Sequence, residues 1–349
     1  MNCIITGLGG RGQWWLDNLL NRKDVTLVAA VEPYAANAEK AVVRFNLDPK
    51  IIHPTLEDAI SSTKADFVLD VTPPAVHHKI AYAAFAAGLH VIGEKPLSDN
   101  FGIAKQVSDA GETAGVKHMI TQNYRFGPLP RTTRTLLADG LIGQPGQCDL
   151  RFYVNWADVP GTHYVTEPFM FITDMMVHHF DMLRYVLGSE PISVQAITWN
   201  HPWGWHAGDA AHAIVFAFPD SLMVTHISVG CAVGAMTSYN GDWRIEAVRP
   251  VAPRRATFRG AGPLGSVTWE KDKLWHTRMH RTDKRINEEL FPAAMPPSEQ
   301  AMLDEFFAAI RENREPECSA RDNLNSLRMV FGAIQSAKEG RKVILNEVA

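Results

Sequence analysis

In residues 1–122, short apolar runs alternate with longer segments of helical spacing, and this alternation is the strongest constraint on the fold. The strand-like runs are apolar on both faces, which is typical of strands buried in a parallel sheet. Helices that connect such strands cover the two faces of the sheet. The pattern therefore predicts an α/β unit, with strand-like runs "CIITG", "VTLVAAVE", "DFVLDVT", "HVIGEK" and "KHMITQ".

Beyond about Gln122 the pattern changes, because strand-like runs now follow one another with short turns between them. Consecutive strands of this kind predict a second, mainly antiparallel sheet. A helical segment at residues 173–185 falls between the first two of these strands. Two more helices follow, the first of which we expect to be capped by Ser298 and the second to end at Gly340.

The chain has 349 residues, which exceeds the usual domain size of about 100–200 residues. We therefore expect two domains. The first, residues 1–122, is the parallel α/β unit. The second, residues 123–349, contains the open antiparallel sheet, and its C-terminal helices have the option of packing back on the first domain.

Charge and cysteine content exclude several classes of protein. The chain has 34 Lys and Arg against 38 Asp and Glu, a net charge of −4 without long runs of either sign, so we expect no nucleic-acid partner. No stretch of about 18 apolar residues predicts a membrane span, and Met1 leads directly into "NCIITGLGG" rather than into a secretory leader. We expect a cytoplasmic protein whose scattered cysteines are free thiols: Cys3, Cys148, Cys231 and Cys318.

The hexapeptide "GLGGRG" has G-x-G-x-x-G spacing at Gly7, Gly9 and Gly12, directly after the first strand-like run and before a helix. Such a loop uses its first glycine for a tight turn, its second for close approach of a pyrophosphate, and its third for packing of the helix. The phosphate then lies at the helix N-terminus. We expect a dinucleotide site here that also involves Gly10 and Arg11; the alternative is a glycine-rich turn without a ligand.

An acidic residue, Glu32, lies 20 residues beyond Gly12 at the end of the second strand-like run. In a dinucleotide site an acid at this position accepts hydrogen bonds from the adenosine ribose hydroxyls and repels a 2′-phosphate. No arginine follows within the next five residues, although Lys40 lies nearby. The sequence therefore favours NAD over NADP.

The next two strand-like runs end in the Thr72-Pro73 turn and in "GEKPL". Both segments are expected at the carboxyl edge of the sheet, where nucleotides bind. Lys95, just before Pro96, is placed to direct its ammonium group toward a nicotinamide; the alternative is a solvated surface lysine.

The segment "TDMMVHHFDMLRY", residues 173–185, combines a buried apolar helix with polar side chains. In α-helical geometry Asp174, His178 and Asp181 fall on one stripe, and a polar stripe on a buried helix needs partners. His179 points elsewhere, so we expect it to pack in the core or at a subunit surface. Adjacent helical histidines diverge by about 100°, and no H-E-x-x-H pair exists, so we expect no metal site.

Together these motifs resemble those of the glucose-fructose oxidoreductase / inositol dehydrogenase family, often called Gfo/Idh/MocA. "GLGGRG" is similar to its dinucleotide loop, "VTPPAVHHKIAYAAFAAGLHVIGEKPL" to its T-P-x-x-x-H to E-K-P segment, "QNYRF" to its entry into the second domain, and "TDMMVHHFDMLRYVLG" to its D-x-x-x-H-x-x-D helix. The resemblance implies a Rossmann domain, a second α/β domain with an open antiparallel sheet, and dimers or tetramers formed through that sheet. It also implies oxidation or reduction of sugars, inositols or related polyols with NAD or NADP.

Carried across residue by residue, the resemblance implies that Lys95, Asp174 and His178 form the catalytic group. The implied cofactor contacts are Gly7, Gly9, Gly10, Arg11, Gly12, Glu32, Thr72, Pro73, His77, Glu94, Lys95 and Asn123. Candidate substrate contacts are Asp174 and His178, together with four further residues whose alternative role is packing between the domains: Tyr124, Arg125, Trp156 and His163. The chain departs from the family at Met176, where sugar-active members usually have glycine.

Chemistry gives each member of this group a role. Histidine, with an unperturbed pKa of about 6.5, suits removal of a hydroxyl proton, so we expect His178 to act as the base. Lys95 would stabilise the developing alkoxide, and Asp174 would bind a neighbouring hydroxyl or orient one of the other two. The alternative is that Asp174 and His178 form a structural hydrogen-bonded pair.

The sequence predicts an NAD-dependent oxidoreductase acting on a secondary alcohol of a sugar, inositol, polyol or sugar acid. Two alternatives remain open: an NAD-dependent glycosidase that acts through transient sugar oxidation, and a non-catalytic dinucleotide-binding regulator. Steady NADH formation from free sugars distinguishes the oxidoreductase from both alternatives.

Overall fold

The computed structural model describes residues 1–155, 167–204, 206–232, 236–247, 265–270, 273–279, 285–290, 292 and 294–348. The chain divides into two compact units. Unit 1 consists of Met1–Asn123 and Pro296–Asn325, and unit 2 of Tyr124–Met295 and Ser326–Ala349. The expected boundary near residue 122 falls beside this division, and the C-terminal segment that joins unit 1 contains one of the helices whose packing the sequence left open.

Unit 1 contains a six-stranded parallel sheet with the strand order β3-β2-β1-β4-β5-β6. The order reverses between β1 and β4, which creates the switch point where dinucleotides bind in such sheets. The elements are β1 (Asn2–Thr6), α1 (Gly10–Leu19), β2 (Thr26–Val31), α2 (Ala35–Phe45), β3 (Ile52–His53), α3 (Leu56–Ser62), β4 (Phe67–Asp70), α4 (Pro74–Ala86), β5 (His90–Gly93), α5 (Phe101–Ala114) and β6 (His118–Ile120).

Unit 2 contains the other sheet, which has nine strands among the described residues, in the order β14-β13-β12-β11-β7-β10-β9-β8-β15. All neighbours are antiparallel except β7 and β10, so the predicted, mainly antiparallel sheet is confirmed. The remaining elements of the chain are α6 (Pro128–Ala138), β7 (Pro145–Tyr153), α7 (Val177–Leu187), β8 (Ser193–Trp199), β9 (Ala211–Ala217), β10 (Met223–Val229), β11 (Asp242–Ala247), β12 (Gly265–Glu270), β13 (Lys273–Met279), β14 (Arg285–Leu290), α8 (Ser298–Arg311), α9 (Ala320–Glu339) and β15 (Val343–Ile344).

Helix α8 belongs to unit 1 because its aromatic side chains pack on the parallel sheet. Phe306 and Phe307 both meet Phe67 of β4 edge-on, with ring centroids 5.7 and 5.4 Å apart. Such pairs add specific geometry to the burial of large apolar surfaces. The expected cap was wrong, because Pro297 occupies the N-cap position of α8 and Ser298 is its first residue.

Among the described residues, helices cover one face of the unit 2 sheet and leave the other open. On the covered face, Phe180 of α7 packs edge-on against Phe216 of β9, and the Ser336 hydroxyl of α9 accepts a hydrogen bond from Ala196 N of β8. On the open face three apolar side chains are exposed in neighbouring strands: Ile197, Val215 and Met223. An antiparallel sheet with one face packed on the core and the other exposed shows this alternation of buried and exposed side chains along its strands.

Among the described residues no helix is long and apolar enough to cross a membrane. The same residues contain no group of three or more His, Cys, Asp or Glu side chains suited to hold a metal ion. The predicted free thiols are confirmed, since all of them are buried without a disulfide: Cys3, Cys148, Cys231 and Cys318.

Candidate active site

The glycine loop follows β1 and leads into α1. A Cβ atom on Gly7, whose φ is +88°, would lie 2.6 Å from Val71 O, and a Cβ on Gly12 would lie 1.9 Å from Gly7 O. Both positions therefore exclude any side chain. A Cβ on Gly9 or Gly10 would meet no atom within 4 Å, so the outer side of the loop is open. Helix α1 begins at Gly10 without a side-chain cap, and the positive end of its dipole suits a pyrophosphate.

Glu32 follows β2, and its carboxylate lies beside the glycine loop. Its Oε2 atom accepts a hydrogen bond from Leu8 N at 2.8 Å, and Oε1 accepts one from Tyr34 N at 3.0 Å. Asn37 Nδ2 lies 3.4 Å from Oε2. An ionised carboxylate accepts about four hydrogen bonds, so capacity remains for ribose hydroxyls.

Asp70, which the sequence analysis missed, organises the turn after β4. Its buried Oδ1 atom accepts hydrogen bonds from Thr6 Oγ1 at 2.9 Å, Thr72 N at 3.0 Å and Thr72 Oγ1 at 2.6 Å. The Thr72 hydroxyl is thus held by the protein itself. The signal that was available is the carboxylate that ends the apolar run "FVLD".

Glu94 directly follows β5, and its buried carboxylate connects several segments of unit 1. Its carboxylate accepts hydrogen bonds from Arg11 Nε at 2.6 Å, Trp15 Nε1 at 2.7 Å and Thr121 Oγ1 at 3.0 Å. It also accepts one from Lys95 N at 3.2 Å. Glu94 therefore ties the glycine loop and α1 to the segment that carries Lys95, a structural role that the cofactor contact inferred from sequence did not include. Nothing in the local sequence identifies Trp15 or Thr121 as its partners.

The other expected cofactor residues of unit 1 lie at the same carboxyl edge of the sheet. Pro73 is exposed at the start of α4, and Lys95 is half-buried before Pro96. Asn123 begins a short 3₁₀ turn, with its Nδ2 atom 3.4 Å from Glu299 Oε1. His77 is buried, and both of its ring nitrogens face main-chain carbonyl groups.

In unit 2, the predicted catalytic helix is not a continuous α-helix. Residues Phe171–Met176 form a π-helical segment that continues into α7. Half-buried Asp174 lies in the π-helical segment, and buried His178 lies in the first turn of α7. The expected α-helical stripe was therefore wrong at its first member, because π-helical residues bond i→i+5 and change the angle between them. Met176, at the family's glycine position, is fully buried.

The ring of Tyr124 packs against the two adjacent histidines of α7. It stacks on His178 with centroids 4.5 Å apart and planes 7° apart, and it contacts His179 at 5.9 Å. Tyr124 and His178, both expected to bind substrate, are thus neighbours in unit 2. Two other expected substrate contacts, Trp156 and His163, lie outside the described residues.

Asp181 forms a buried ion pair with Arg125. Arg125 Nε donates to Asp181 Oδ2 at 2.6 Å, a second guanidinium nitrogen donates to Oδ1, and Ser326 Oγ donates to Oδ1 at 3.1 Å. The polar stripe predicted from sequence needed buried partners, and Asp181 finds them in Arg125 and Ser326. The guanidinium of Arg125, expected to bind substrate, takes part in this pair.

Arg184, on the same helix, makes two contacts of 2.6 Å with the Glu190 carboxylate.

Three fully buried histidines form a hydrogen-bonded chain in unit 2. His179 Nε2 lies 2.9 Å from Tyr239 O, His179 Nδ1 lies 3.0 Å from His226 Nε2, and His226 Nδ1 lies 3.0 Å from His212 Nε2. Burial lowers the pKa of His179 to about 4 and that of His212 to about 3, and it lowers the pKa of His226 well below its usual range. All three are therefore neutral at physiological pH.

The hydrogen bond to Tyr239 O determines which nitrogen donates in each of the other hydrogen bonds among these histidines. The Tyr239 carbonyl only accepts, so the neutral His179 ring carries hydrogen on Nε2 and accepts through Nδ1. By the same reasoning His226 and His212 both carry hydrogen on Nε2. The core position allowed for His179 is confirmed, and the chain anchors the residue next to His178 to strands β9 and β10. Sequence reasoning missed it because its members lie far apart in the chain.

A family comparison agrees with both units. Residues 1–122 match the model described as "Oxidoreductase family, NAD-binding Rossmann fold", and residues 134–345 match "Oxidoreductase family, C-terminal alpha/beta domain". The chain belongs to the Gfo/Idh/MocA family of oxidoreductases. It is therefore an enzyme whose first unit binds a nicotinamide dinucleotide, and the fold class expected from sequence is confirmed.

Individual relatives match most of the chain at low identity. The inositol 2-dehydrogenase of Rhizobium meliloti is 25% identical over 97% of this chain and 97% of its own length. The D-apiose dehydrogenase of Paraburkholderia graminis is 27% identical over 83% of this chain and 75% of its own length. A solved oxidoreductase from Agrobacterium radiobacter in complex with NAD+, L-tartaric acid and magnesium has a TM-score of 0.84 at 18% identity, covering 100% of this chain and 99% of its own, and shows the shared fold.

Proposed function

We propose that this protein is an NAD-dependent dehydrogenase that transfers a hydride between nicotinamide and a secondary alcohol or ketone of a sugar, inositol, polyol or sugar acid. The observation that carries the proposal is the presence, in one chain, of an open glycine loop with Glu32 beside it and of a buried histidine, His178, that stacks on Tyr124. Relatives that act on inositol and D-apiose support the substrate class.

The residues that would hold the cofactor fit it. The glycine loop and the N-terminus of α1 suit a pyrophosphate, and Glu32 suits the ribose hydroxyls. The bound nicotinamide supplies a hydride acceptor or donor. Glu94 and Asp70 hold the two turns that border this site.

The chain's own side chains manage the proton and the developing charge. His178 accepts the hydroxyl proton when alcohol is oxidised, and stacking on Tyr124 fixes the plane of its ring. Lys95 stabilises the alkoxide that forms, and Asp174 binds a neighbouring hydroxyl. A substrate with adjacent hydroxyl groups suits this set of donors and acceptors.

The test is a screen of free sugars, inositols, polyols and sugar acids, with NADH or NADPH absorbance as the readout and both cofactors in parallel. We expect steady NADH formation from at least one compound with adjacent hydroxyls. Cleavage of aryl glycosides without net NADH would replace the proposal with a glycosidase. Tight NAD binding without turnover across the whole panel would replace it with a regulator.

Glu32 is expected to set the preference for NAD. Glu32→Gln keeps the shape of the side chain but removes the charge that repels a 2′-phosphate, so the ratio of kcat/KM for NAD to that for NADP should fall by about 10-fold or more, as expected for loss of one charged hydrogen-bonding group. Steady-state kinetics with both cofactors measure the ratio. Glu39→Gln, an exposed position in α2, is the matched control and should leave it unchanged. An unchanged ratio in Glu32→Gln would remove Glu32 from cofactor selection.

We also propose that the protein is a homo-oligomer, a dimer or tetramer, that buries the open face of the unit 2 sheet. Ile197 is 65% exposed on this face, and Val215 and Met223 are exposed beside it. Ile197→Glu should shift the protein to a smaller species in sedimentation velocity, because an interface would have to desolvate the new charge. Val43→Glu changes an even more exposed apolar residue in α2 of unit 1 and should have no effect. A monomeric wild-type protein would contradict the proposal.

A further inference from the structure

His77 bridges the two turns that border the cofactor edge of unit 1. It lies in the first turn of α4, which starts at Pro74, and it is buried. Its Nε2 atom lies 2.7 Å from Thr72 O, in the turn after β4. Its Nδ1 atom lies 2.9 Å from Pro96 O, in the turn after β5.

Both partners of the ring are carbonyl oxygens, and this determines the hydrogens on the ring. A carbonyl oxygen accepts hydrogen bonds and never donates them, whereas a neutral imidazole has one donor and one acceptor nitrogen. A neutral His77 would therefore direct a lone pair at one of the two oxygens. Only the imidazolium form, with hydrogen on both nitrogens, satisfies Thr72 O and Pro96 O together.

A small cavity lies beside the ring of His77. This cavity is lined by the carboxyl-bearing residues Asp70 and Glu94 and by His118, together with apolar residues of α4, β5, β6 and the segment after β5. Burial, followed by the Coulomb interaction with His77, lowers the pKa of His118 to about 3, so His118 is neutral and does not compete for the charge. Two acidic residues and one neutral imidazole thus line this cavity together with the bridging histidine.

The bridge holds the main chain of Lys95 from one side, and Glu94 holds it from the other. Glu94 Oε2 accepts a hydrogen bond from Lys95 N at 3.2 Å, and the same carboxylate is fastened to Arg11, Trp15 and Thr121. Pro96 O, immediately after Lys95, accepts from His77. The backbone on both sides of Lys95 is therefore tied to other elements of unit 1.

We propose that His77 is a positioning residue which, as an imidazolium bridging Thr72 O and Pro96 O, holds Lys95 in place for its role in hydride transfer. The inference rests on the proposed function, because it takes Lys95 to act on substrate. It assigns His77 a different role from the direct cofactor contact that the family resemblance implies.

The number of donors at this position should determine turnover. His77→Gln retains an amide that donates to one of the two carbonyls, and His77→Leu retains none. We expect kcat to fall about 10-fold in the first and about 100-fold in the second, in line with loss of one and of two hydrogen bonds from a charged donor. Affinity for NAD, measured by calorimetry, should stay within about threefold, since the glycine loop and Glu32 are untouched and Asp70 still holds Thr72. His78→Gln, the adjacent and less buried histidine, is the matched control and should leave kcat unchanged.

Two readouts separate positioning from general damage. In ¹⁵N-histidine spectra, the His77 ring, assigned by its disappearance in His77→Gln, should show two protonated nitrogens. In a double-mutant cycle, His77→Leu should cost little further turnover once Lys95→Met is present, because residues that act as one unit are strongly non-additive. A singly protonated ring, or full additivity, overturns the proposal.

Lys95→Met alone separates failure of this inference from failure of the proposed function. If Lys95→Met loses turnover while His77→Leu keeps wild-type kcat, only the positioning role is overturned. If Lys95→Met keeps wild-type turnover, Lys95 is not catalytic and the inference is overturned together with that part of the proposed function.

Discussion

Replacement of His178 by alanine is expected to lower kcat by about 10²–10⁴-fold, the usual contribution of general base catalysis. His178 is buried in the first turn of α7, and its ring lies flat against Tyr124. The substitution therefore removes the base without removing the aromatic surface that positions it. Affinity for NAD should remain close to wild type, because its predicted contacts lie in unit 1. Steady-state kinetics on the best substrate of the screen and calorimetric NAD binding give both quantities.

Two further variants test whether the fall in kcat of His178→Ala reflects the loss of a catalytic base. Asp174→Asn keeps a hydrogen-bonding group of the same size, so it should raise KM more than it lowers kcat if Asp174 binds a substrate hydroxyl. His53→Ala changes a histidine outside the proposed catalytic group and serves as the control for histidine loss in general. Turnover of His178→Ala within about threefold of wild type would eliminate the base assignment and leave the structural pair as the better account of Asp174 and His178.

The protein should lose stability steeply as the pH falls from about 6.5 to 4.5. The pKa values of four buried histidines are lowered mainly by burial: His118 to about 3, His179 to about 4, His212 to about 3, and His226 well below its usual range. In the unfolded chain each returns to about 6.5. Between these values the unfolded chain binds more protons than the folded chain does, so the free energy of unfolding decreases as pH decreases.

The sign and size of this pH dependence follow from the difference in proton binding between the folded and unfolded chain. Each histidine makes its full contribution to the free energy of unfolding above about pH 6.5. That contribution is lost as the pH falls toward the pKa of the histidine in the folded chain. Well below pH 6.5 each such group costs about 1.4 kcal/mol per pH unit, so several acting together produce a large effect. In the chain of His179, His226 and His212, one added proton also breaks a hydrogen bond, because an Nδ1 that accepts from the next ring becomes a donor. Urea unfolding at a series of pH values measures this slope.

His118→Leu isolates one member of the set. His118 Nδ1 is buried without a hydrogen-bond partner, and its ring packs edge-on against Phe85, so an apolar side chain suits the site. Removal of this titrating group should reduce the pH dependence by about 1.4 kcal/mol per pH unit. The same substitution at His78, which is not buried, should leave the slope unchanged. A wild-type free energy of unfolding that does not change between about pH 6.5 and 4.5 would show that these histidines titrate normally.

The sequence by itself determined the features that depend on local spacing. Strand, turn and helix succeed one another within the first 20 residues, so the glycine loop and the helix N-terminus can be recognised without any long-range information. The same holds for Glu32 at the end of the next strand. Consecutive strand-like runs with short turns between them likewise indicate the antiparallel sheet of unit 2, because short turns join strands that run in opposite directions.

Other parts of the candidate site had no local signature. A π-helical segment of six residues has nearly the same apolar pattern as an α-helix, so the sequence placed Asp174 on an α-helical stripe that the structure does not contain. Nor does any spacing rule pair Arg125 with Asp181, which are 56 positions apart, or Arg11 with Glu94, which are 83 apart.

Only the tertiary structure decided which buried polar groups meet. His179 and His226 are 47 residues apart, and His77 and Pro96 are 19 apart, yet each pair shares a hydrogen bond. A buried polar atom is costly unless it is hydrogen-bonded, so folding selects such partners, but it selects them from whatever the packed strands and helices bring together. Chemistry at Gly7, Gly12 and Glu32 is therefore readable from the sequence, whereas the hold on Lys95 and the anchoring of α7 exist only once the chain is folded.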